Sequence, residues 1–273
     1  MRLKDKVVLI TGASRGVGAC VALACAREGA HVALAAKTVD PDPRLPGTLG
    51  QVAEEIRALG RDALVVQTDV RDPDAVEAMV AATVAHFGRL DALVNNAGAI
   101  FWAPVADWPV KKFDLVFGVN VRAAFLASRA AIPHLRVNGG HIIMMSPPIH
   151  PKASVGKGPY LVSKLGMTML AMAIDGEEDN VAAHALWPVT AIKTAATVNF
   201  GMAPDEEMRN PEILADATVA LLARDPKTSS FRAWLDEEVL AEEGVTDFTV
   251  YNCVPGTTPG PMSIALVNPD YEG

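Results

Sequence analysis

The sequence predicts an α/β fold built on a doubly wound parallel sheet, on three observations. Short apolar runs alternate with helix-length segments from the N-terminus to about residue 190. The runs are unbroken, which suits strands covered on both faces. The first run ends in Thr11-Gly12 and opens a glycine-rich turn ahead of a helical segment, as a βαβ unit begins.

Strands are expected at residues 7–10, 31–36, 63–66, 92–94, 141–145 and 181–187, each dominated by Val, Ile, Leu, Ala or Met. Helices are expected between them at 17–28, 51–59, 74–87, 110–135 and 160–175. Gly29 and Gly60 stand where a helix C-cap takes a left-handed residue, and Asp72-Pro73 puts a cap before a proline at the first helical position. Two segments interrupt the rhythm: a Pro-rich excursion at 40–47, and a loop at 195–211 leading to a helix at 211–223. Beyond residue 230, strands are expected at 231–235 and 247–254.

With 273 residues, 50% apolar and 21% charged, the chain can bury a core without disulfides. Its 24 Lys+Arg against 32 Asp+Glu leave a net charge of −8, which argues against a general binder of nucleic acid or anionic membrane. No uncharged apolar run reaches 18 residues, so no membrane span is expected. Cys20, Cys25 and Cys253 form no CxxC pair and predict neither disulfide framework nor metal site. The N-terminus runs directly into a strand without a signal-peptide apolar region, so a cytoplasmic protein is expected.

The motifs point to a dinucleotide. In Thr11-Gly12-Ala13-Ser14-Arg15-Gly16-Val17-Gly18, Gly12 permits a tight turn, Gly16 lets backbone approach a pyrophosphate, and Gly18 allows close helix packing. The following helix N-terminus offers N–H groups and a positive dipole end to the phosphates. The second strand ends in Lys37-Thr38 with no acid before Asp40; with Arg15 in the glycine turn, this favours NADP(H), with NAD(H) second. Asp69-Val70 could bond an adenine amino group, though Asp69 on its own suggests a helix or turn cap instead. Asn95-Asn96-Ala97-Gly98 marks a chain passing close to the cofactor. Tyr160 and Lys164, four apart, share one helical face. A neighbouring ammonium is expected to lower the phenol pKa, making Tyr160 a general acid/base for a substrate oxygen.

Thr11–Gly18, Asn95–Gly98, Asn120, Tyr160 and Lys164, in this order and spacing, resemble the short-chain dehydrogenase/reductase family over about residues 4–225. The resemblance implies a Rossmann-like seven-stranded parallel sheet of order 3-2-1-4-5-6-7 with helices on both faces, and a homodimer or homotetramer. It also implies that Asn120 orients a water in a proton relay through Lys164; the residue alone suggests only a kink or a buried polar contact. Ala35-Ala36-Lys37-Thr38 with its Pro-rich loop, Ser146-Pro147-Pro148, Trp187-Pro188 and Glu242-Glu243-Gly244 are similar to the hydroxysteroid-dehydrogenase-like protein 2 group. Larger members of that group append a sterol-carrier domain, for which this chain is too short.

The chain also departs from the family pattern. The family follows its fifth strand with two serines, the second bonding the substrate carbonyl; here Ser146 is followed by Pro147, which has neither hydroxyl nor N–H. Either Ser146 takes the role or the usual donor is missing, with His150 and Ser154 as nearby substitutes. The family's Pro-Gly appears as Pro188-Val189, and its nicotinamide-holding Ile and Thr map to Ile192 and Thr194 with one insertion, or leave Thr190 as the nearer hydroxyl without one. Phe101, Trp102, Trp108, Ile149, Phe200 and Met202 suggest an apolar pocket for a lipophilic ketone or alcohol, or ordinary loop anchoring. No Arg cluster there favours a charged substrate. Residues 1–273 are thus read as a single dinucleotide-binding and catalytic domain with a C-terminal extension from about residue 230. The expected activity is NADP(H)-dependent oxidoreduction; the alternative is an NADP(H)-binding sensor or scaffold with little turnover.

Overall fold

The side chains of β1 (Val7–Thr11) leave the sheet on alternate faces, with Val8 and Ile10 in one apolar cluster and Val7 and Leu9 in the other. Both clusters are deeply buried, so each face needs a helical layer. A computed structural model describes residues 1–39, 47–148 and 155–261. In it, β1 pairs in parallel with β2 (His31–Ala36) on one side and β4 (Ala92–Asn95) on the other. Beyond them lie β3 (Ala63–Gln67), β5 (Gly140–Met145), β6 (Val181–Trp187) and β9 (Ala233–Leu235), giving the order β3-β2-β1-β4-β5-β6-β9. The seventh strand of the main sheet is the ninth along the chain. The two-residue strands β7 (Ala191–Ile192) and β8 (Met208–Arg209) pair with each other instead.

One layer is α1 (Gly16–Arg27), α2 (Leu49–Ala58) and α8 (Glu212–Leu222), which bury Val21, Cys25, Ile56, Ile213 and Leu221 against the sheet. The other contains α3 (Pro73–Phe87), α5 (Ala123–Asn138) and α6 (Gly158–Glu177), contributing Val76, Met79, Ala127, Leu135 and Met167. Each fully buried Leu, Ile or Met contributes about 2 kcal/mol of apolar transfer. The cap signals act as expected: Asp72 accepts from the Asp74 N–H with Pro73 at the first helical position, while Gly29 and Gly60 take φ of +95° and +77°.

The structure differs from the sequence expectation in three places, one being the loop expected at 195–211, which holds a short helix at Ala195–Asn199 and the strand β8. The single helix expected at 110–135 is α4 (Val110–Phe117), a π-helical turn at Gly118–Arg122, then α5. An 18-residue window within Val110–Asn138 reaches a mean hydropathy of 1.4, long and apolar enough by composition to cross a membrane, yet one face packs on the sheet through Ala123, Ala124, Ala127 and Ala131. The strand expected at 247–254 is a 3₁₀ turn over Thr249–Tyr251. The Asp247 carboxylate accepts from the Thr249 N–H at 2.9 Å and its hydroxyl at 2.6 Å, a local turn that competes with strand pairing. Only Asn252 makes a β-bridge, to Arg209. The C-terminal α9 (Asp236–Glu242) follows β9 and packs on α8.

Candidate active site

A cleft of about 1220 Å³ opens at the C-terminal ends of the central strands. In an open α/β sheet this is where the chain leaves strand ends free to bind ligands. The glycine turn between β1 and α1 forms one wall. Gly12 and Gly16 take φ of +68° and +56°. A Cβ at Gly18 would collide with the Gly12 carbonyl oxygen and come within 2.5 Å of Asn96 Nδ2. Asn96 explains that crowding: its amide donates to the Thr11 and Gly12 carbonyls at 2.9 and 3.1 Å, tying the end of β4 to the turn. Thr11 Oγ1 in turn accepts from the backbone N–H groups of Asn96 and Ala97. Asn96 therefore acts on the turn, and Asn95 donates to Ser128 away from it.

The turn fits a pyrophosphate. Arg15, the N-cap of α1, makes no side-chain cap bond, so the first N–H groups of the helix stay available at the cleft. Arg15 Nε is buried with no partner among the described residues, although its Nη2 reaches the Gly47 carbonyl at 3.4 Å. Val17, Ala97 and Gly98 also line the cleft; Ser14, Gly18, Lys37, Asp69 and Val70 do not. Lys37 Nζ lies 3.2 Å from Asp69, whose carboxylate is also gripped by Arg71 at 2.6 and 3.0 Å. That Arg71 guanidinium, with Lys37, holds the Asp69 carboxyl well below the usual carboxylate range. Asp69 also accepts from the Arg71 N–H, so the turn-cap role is present beside any ligand role.

The opposite wall comes from β5, β6 and α6. The four-residue spacing places Tyr160 and Lys164 on the inner face of α6, and both line the cleft. Lys164 Nζ donates to the Met145 carbonyl at 2.8 Å, and burial lowers its pKa to about 8. Burial also pushes the Tyr160 phenol well above its ordinary value, opposite to the lowering expected from Lys164 alone: desolvation outweighs the neighbouring ammonium. Asn120, fully buried in the π turn, meets Lys164 at Gly98, where a Cβ would lie 3.6 Å from Lys164 Nζ and 3.7 Å from Asn120 Oδ1. Its side chain accepts from the Ala99 N–H at 2.8 Å and donates to the Ala99 carbonyl and to Ser163 Oγ.

Ser146 lines the cleft at the end of β5. Its hydroxyl sits 2.9 Å from Thr168 Oγ1 and accepts from Trp187 Nε1 at 3.0 Å. Pro147 and Pro148 continue the wall; Ile149, His150 and Ser154 lie outside the described residues, as do residues 40–46. Pro188, Ile192 and Thr194 line the cleft, and a Cβ at Gly16 would lie 3.6 Å from Thr194 Cγ2. Thr190 is fully buried and does not line the cleft. Thr194 caps α7 (Ala195–Asn199) through a reciprocal bond pair with Thr197.

Trp102, Phe200 and Met202 form an apolar end of the cleft, with Trp102 against Tyr160 and Phe200 at ring separations of 6.5 and 5.8 Å. Phe101 and Trp108 instead stack edge to face with each other at 5.0 Å, the anchoring alternative. Sequence reasoning missed Lys157, which lines the cleft with its ammonium 4.6 Å from the Trp102 ring. It also missed Thr168, Trp187 and Ser163. Of these, only Thr168 carried a signal, being eight residues after Tyr160 on the same helix face.

The comparisons agree with this geometry. A family model described as short chain dehydrogenase matches residues 6–202. Hydroxysteroid dehydrogenase-like protein 2 of Xenopus tropicalis is 42% identical over 260 residues, 93% of this chain but 62% of the relative, so the chain spans about 62% of the length of that relative. A solved structure from Xanthomonas campestris superposes with a TM-score of 0.92 at 39% identity, covering 97% of this chain and 99% of the other. A short chain dehydrogenase of Mycobacterium thermoresistibile gives a TM-score of 0.89 at 40% identity, covering 99% of both chains.

Proposed function

This chain belongs to the short-chain dehydrogenase family, and on that premise we propose that it is an NADP(H)-dependent oxidoreductase acting on a lipophilic ketone or alcohol, with Tyr160 as general acid/base. The observation that carries the reading is that one cleft holds both the glycine turn and the Tyr160–Lys164 pair. The family uses NAD(P). The residues that would hold it are Gly12, Ser14, Arg15, Gly16, Val17 and Gly18 around the pyrophosphate; Lys37 with Arg15 at a ribose phosphate; Asp69 and Val70 at the adenine. Asn96, Ala97, Gly98, Tyr160, Lys164, Pro188, Ile192 and Thr194 would hold the nicotinamide end. When bound, the dinucleotide supplies hydride exchange with the reacting carbon of the substrate.

The chain's own groups handle the oxygen. In the reducing direction Tyr160 donates its proton to the carbonyl oxygen, and the raised pKa keeps that proton in place until it is needed. Ser146 donates a hydrogen bond to the same oxygen. Lys164, still largely cationic at pH 7, sits on the same face and favours the phenolate left behind, and Asn120 fixes the strand end at Ala99 beside it. Trp102, Phe200 and Met202 exclude water and favour an apolar substrate.

The sheet-edge position of β9 and the packing of α9 on α8 support a single domain across the described C-terminal part. The outer face of α6 exposes Val162, Leu165, Met169 and Met172, opposite Tyr160 and Lys164, and α5 exposes Phe125 beside it. An apolar stripe of this kind supports pairing with a second copy as a homodimer or homotetramer. Pro147 favours the alternative of a dinucleotide sensor with little turnover, and one experiment separates the two. NADPH oxidation is measured against a panel of lipophilic ketones and aldehydes with wild type and Tyr160→Phe. The expected result is turnover that falls at least about 1000-fold in the variant with NADPH affinity unchanged. A Tyr160→Phe enzyme as active as wild type would overturn the mechanism, and NADPH binding without turnover of any compound would support the sensor.

A further inference from the structure

We infer that Thr168 and Trp187 are positioning residues that fix the hydroxyl proton of Ser146 toward the cleft, turning this serine into the hydrogen-bond donor that Pro147 cannot be. The inference rests on the proposed oxidoreductase reading and comes from accounting for every proton in a buried triad. Ser146 directly follows β5, Thr168 lies on α6 and Trp187 ends β6, and their polar atoms meet within 2.9 to 3.3 Å. Ser146 and Thr168 are 3% and 6% exposed, so each proton there needs an acceptor.

Trp187 removes one ambiguity, because an indole nitrogen only donates. It gives its proton to Ser146 Oγ at 3.0 Å, with a weaker approach to Thr168 Oγ1 at 3.3 Å. The remaining question is which hydroxyl donates across the 2.9 Å gap between Ser146 and Thr168. Other buried threonines in helices of this protein back-bond to the carbonyl four residues earlier: Thr83 to Met79 at 2.9 Å and Thr218 to Leu214 at 2.7 Å. Thr168 makes no such bond, and among the described residues Ser146 Oγ is the acceptor within its reach. Were Ser146 to donate to Thr168, the Thr168 proton would be buried without an acceptor. With Thr168 donating, both lone pairs of Ser146 are filled, by Thr168 and Trp187, and its own proton has one open direction, the cleft that Ser146 lines.

The same helix face then carries the whole apparatus at a spacing of four. Tyr160 faces the substrate oxygen, Lys164 holds the Met145 carbonyl, and Thr168 sets the polarity of the next residue, Ser146. Trp187 completes the triad from β6, one residue before the loop that carries Pro188.

The polarity is tested directly by neutron diffraction on the perdeuterated protein. The Thr168 deuteron is expected on the line to Ser146 Oγ, and the Ser146 deuteron directed into the cleft. A Ser146 deuteron lying on the line to Thr168 would overturn the inference. Kinetics test the consequence, with NADPH oxidation followed on decanal and acetophenone. Ser146→Ala should lower kcat about 100-fold with NADPH affinity retained. Thr168→Val should lower kcat about tenfold, and Thr168→Ser should recover it to within about twofold. In the Ser146→Ala background, Thr168→Val should cost nothing further, because it acts only through that hydroxyl. An equal loss in both backgrounds would mean a structural role and would also overturn the inference. If wild type turns over neither carbonyl nor any of the panel, the oxidoreductase reading fails while the neutron map still decides the triad.

Discussion

Where the glycine turn meets β4, the wall of the cleft is largely main chain: Gly12 and Gly16 present no side chain, Gly18 behind them lets the turn close on itself, and Asn96 ties one backbone segment to another. Where β5 meets α6 and β6, the wall is side chains bonded across three elements, with Lys164, Ser146, Thr168 and Trp187 each held by a partner distant in sequence. The first wall suits a ligand that is recognised by phosphate and shape. The second suits one whose oxygen must be met by protons at fixed positions. The contrast implies different sensitivities: the backbone wall should tolerate almost no added volume, and the side-chain wall should respond to changes of charge and proton position.

The sharpest way to break the comparison is Gly18→Ala. The added methyl would strike the Gly12 carbonyl and crowd Asn96, both parts of the turn itself. The expected cost is about 3 kcal/mol of stability, with NADPH binding lost, read by urea unfolding and fluorescence titration. An alanine variant with wild-type stability and NADPH affinity would show that close approach is not what defines this wall.

A comparable effect, read in its pH dependence, is expected where the side-chain wall meets the C-terminal elements. Asp236 is fully buried, and its Oδ1 accepts from the Val189 N–H at 3.0 Å and the Glu237 N–H at 2.8 Å. Its Oδ2 has no partner among the described residues, and burial pushes its pKa up to about 7, with Glu237 adding to the rise and Arg209 opposing it. A carboxyl whose folded pKa lies above its unfolded value near 3.8 makes folding take up a proton between them. Stability from this group therefore falls as pH rises from about 4 to 7, and the full penalty is present above 7. His141 and His184 act in the opposite sense, since burial lowers them to about 4 and 3, so their neutral forms favour folding as pH rises toward 6.5. Asp236→Asn isolates the carboxyl. The variant should gain on the order of 3 kcal/mol relative to wild type between pH 4.5 and 8, by chemical unfolding at both values. A difference independent of pH would remove the buried-acid account.

The backbone wall was legible in the amino-acid sequence because its signals are local. Gly12, Gly16 and Gly18 sit within seven residues of one another, and Tyr160 and Lys164 are one helical turn apart. The side-chain wall was only half legible. Ser146 meets Trp187 and Thr168 across 41 and 22 residues, contacts that exist only once sheet order and strand register are set. The π turn around Asn120 begins at Gly118, but one glycine and one asparagine in a helix-length run do not specify a π turn. Thr194 lies close to Gly16 only because the chain path after β6 brings it there, which no local signal encodes. The phenol of Tyr160 shows a further limit: spacing indicates which charge is near, whereas burial, which here outweighs it, depends on the packed fold.

Lys37 is, with Arg15, a side chain in the backbone-built half on which specificity is proposed to rest, and its substitution should have the smallest effect. Its ammonium is 61% exposed and paired to Asp69 at 3.2 Å, so removing it should change stability little. A ribose phosphate would compete for that ammonium with a carboxylate already held by Arg71 at 2.6 Å, so Lys37 can turn to the phosphate without leaving Asp69 unpaired. Lys37→Ala should therefore weaken NADPH about tenfold and NADH by less than about twofold in parallel titrations. Lowering the salt concentration should widen the gap, because the contact is exposed and screened. Equal losses for both dinucleotides would make Lys37 a general support of the turn. No loss for either would point instead to Arg15, whose Nε is buried with no partner among the described residues.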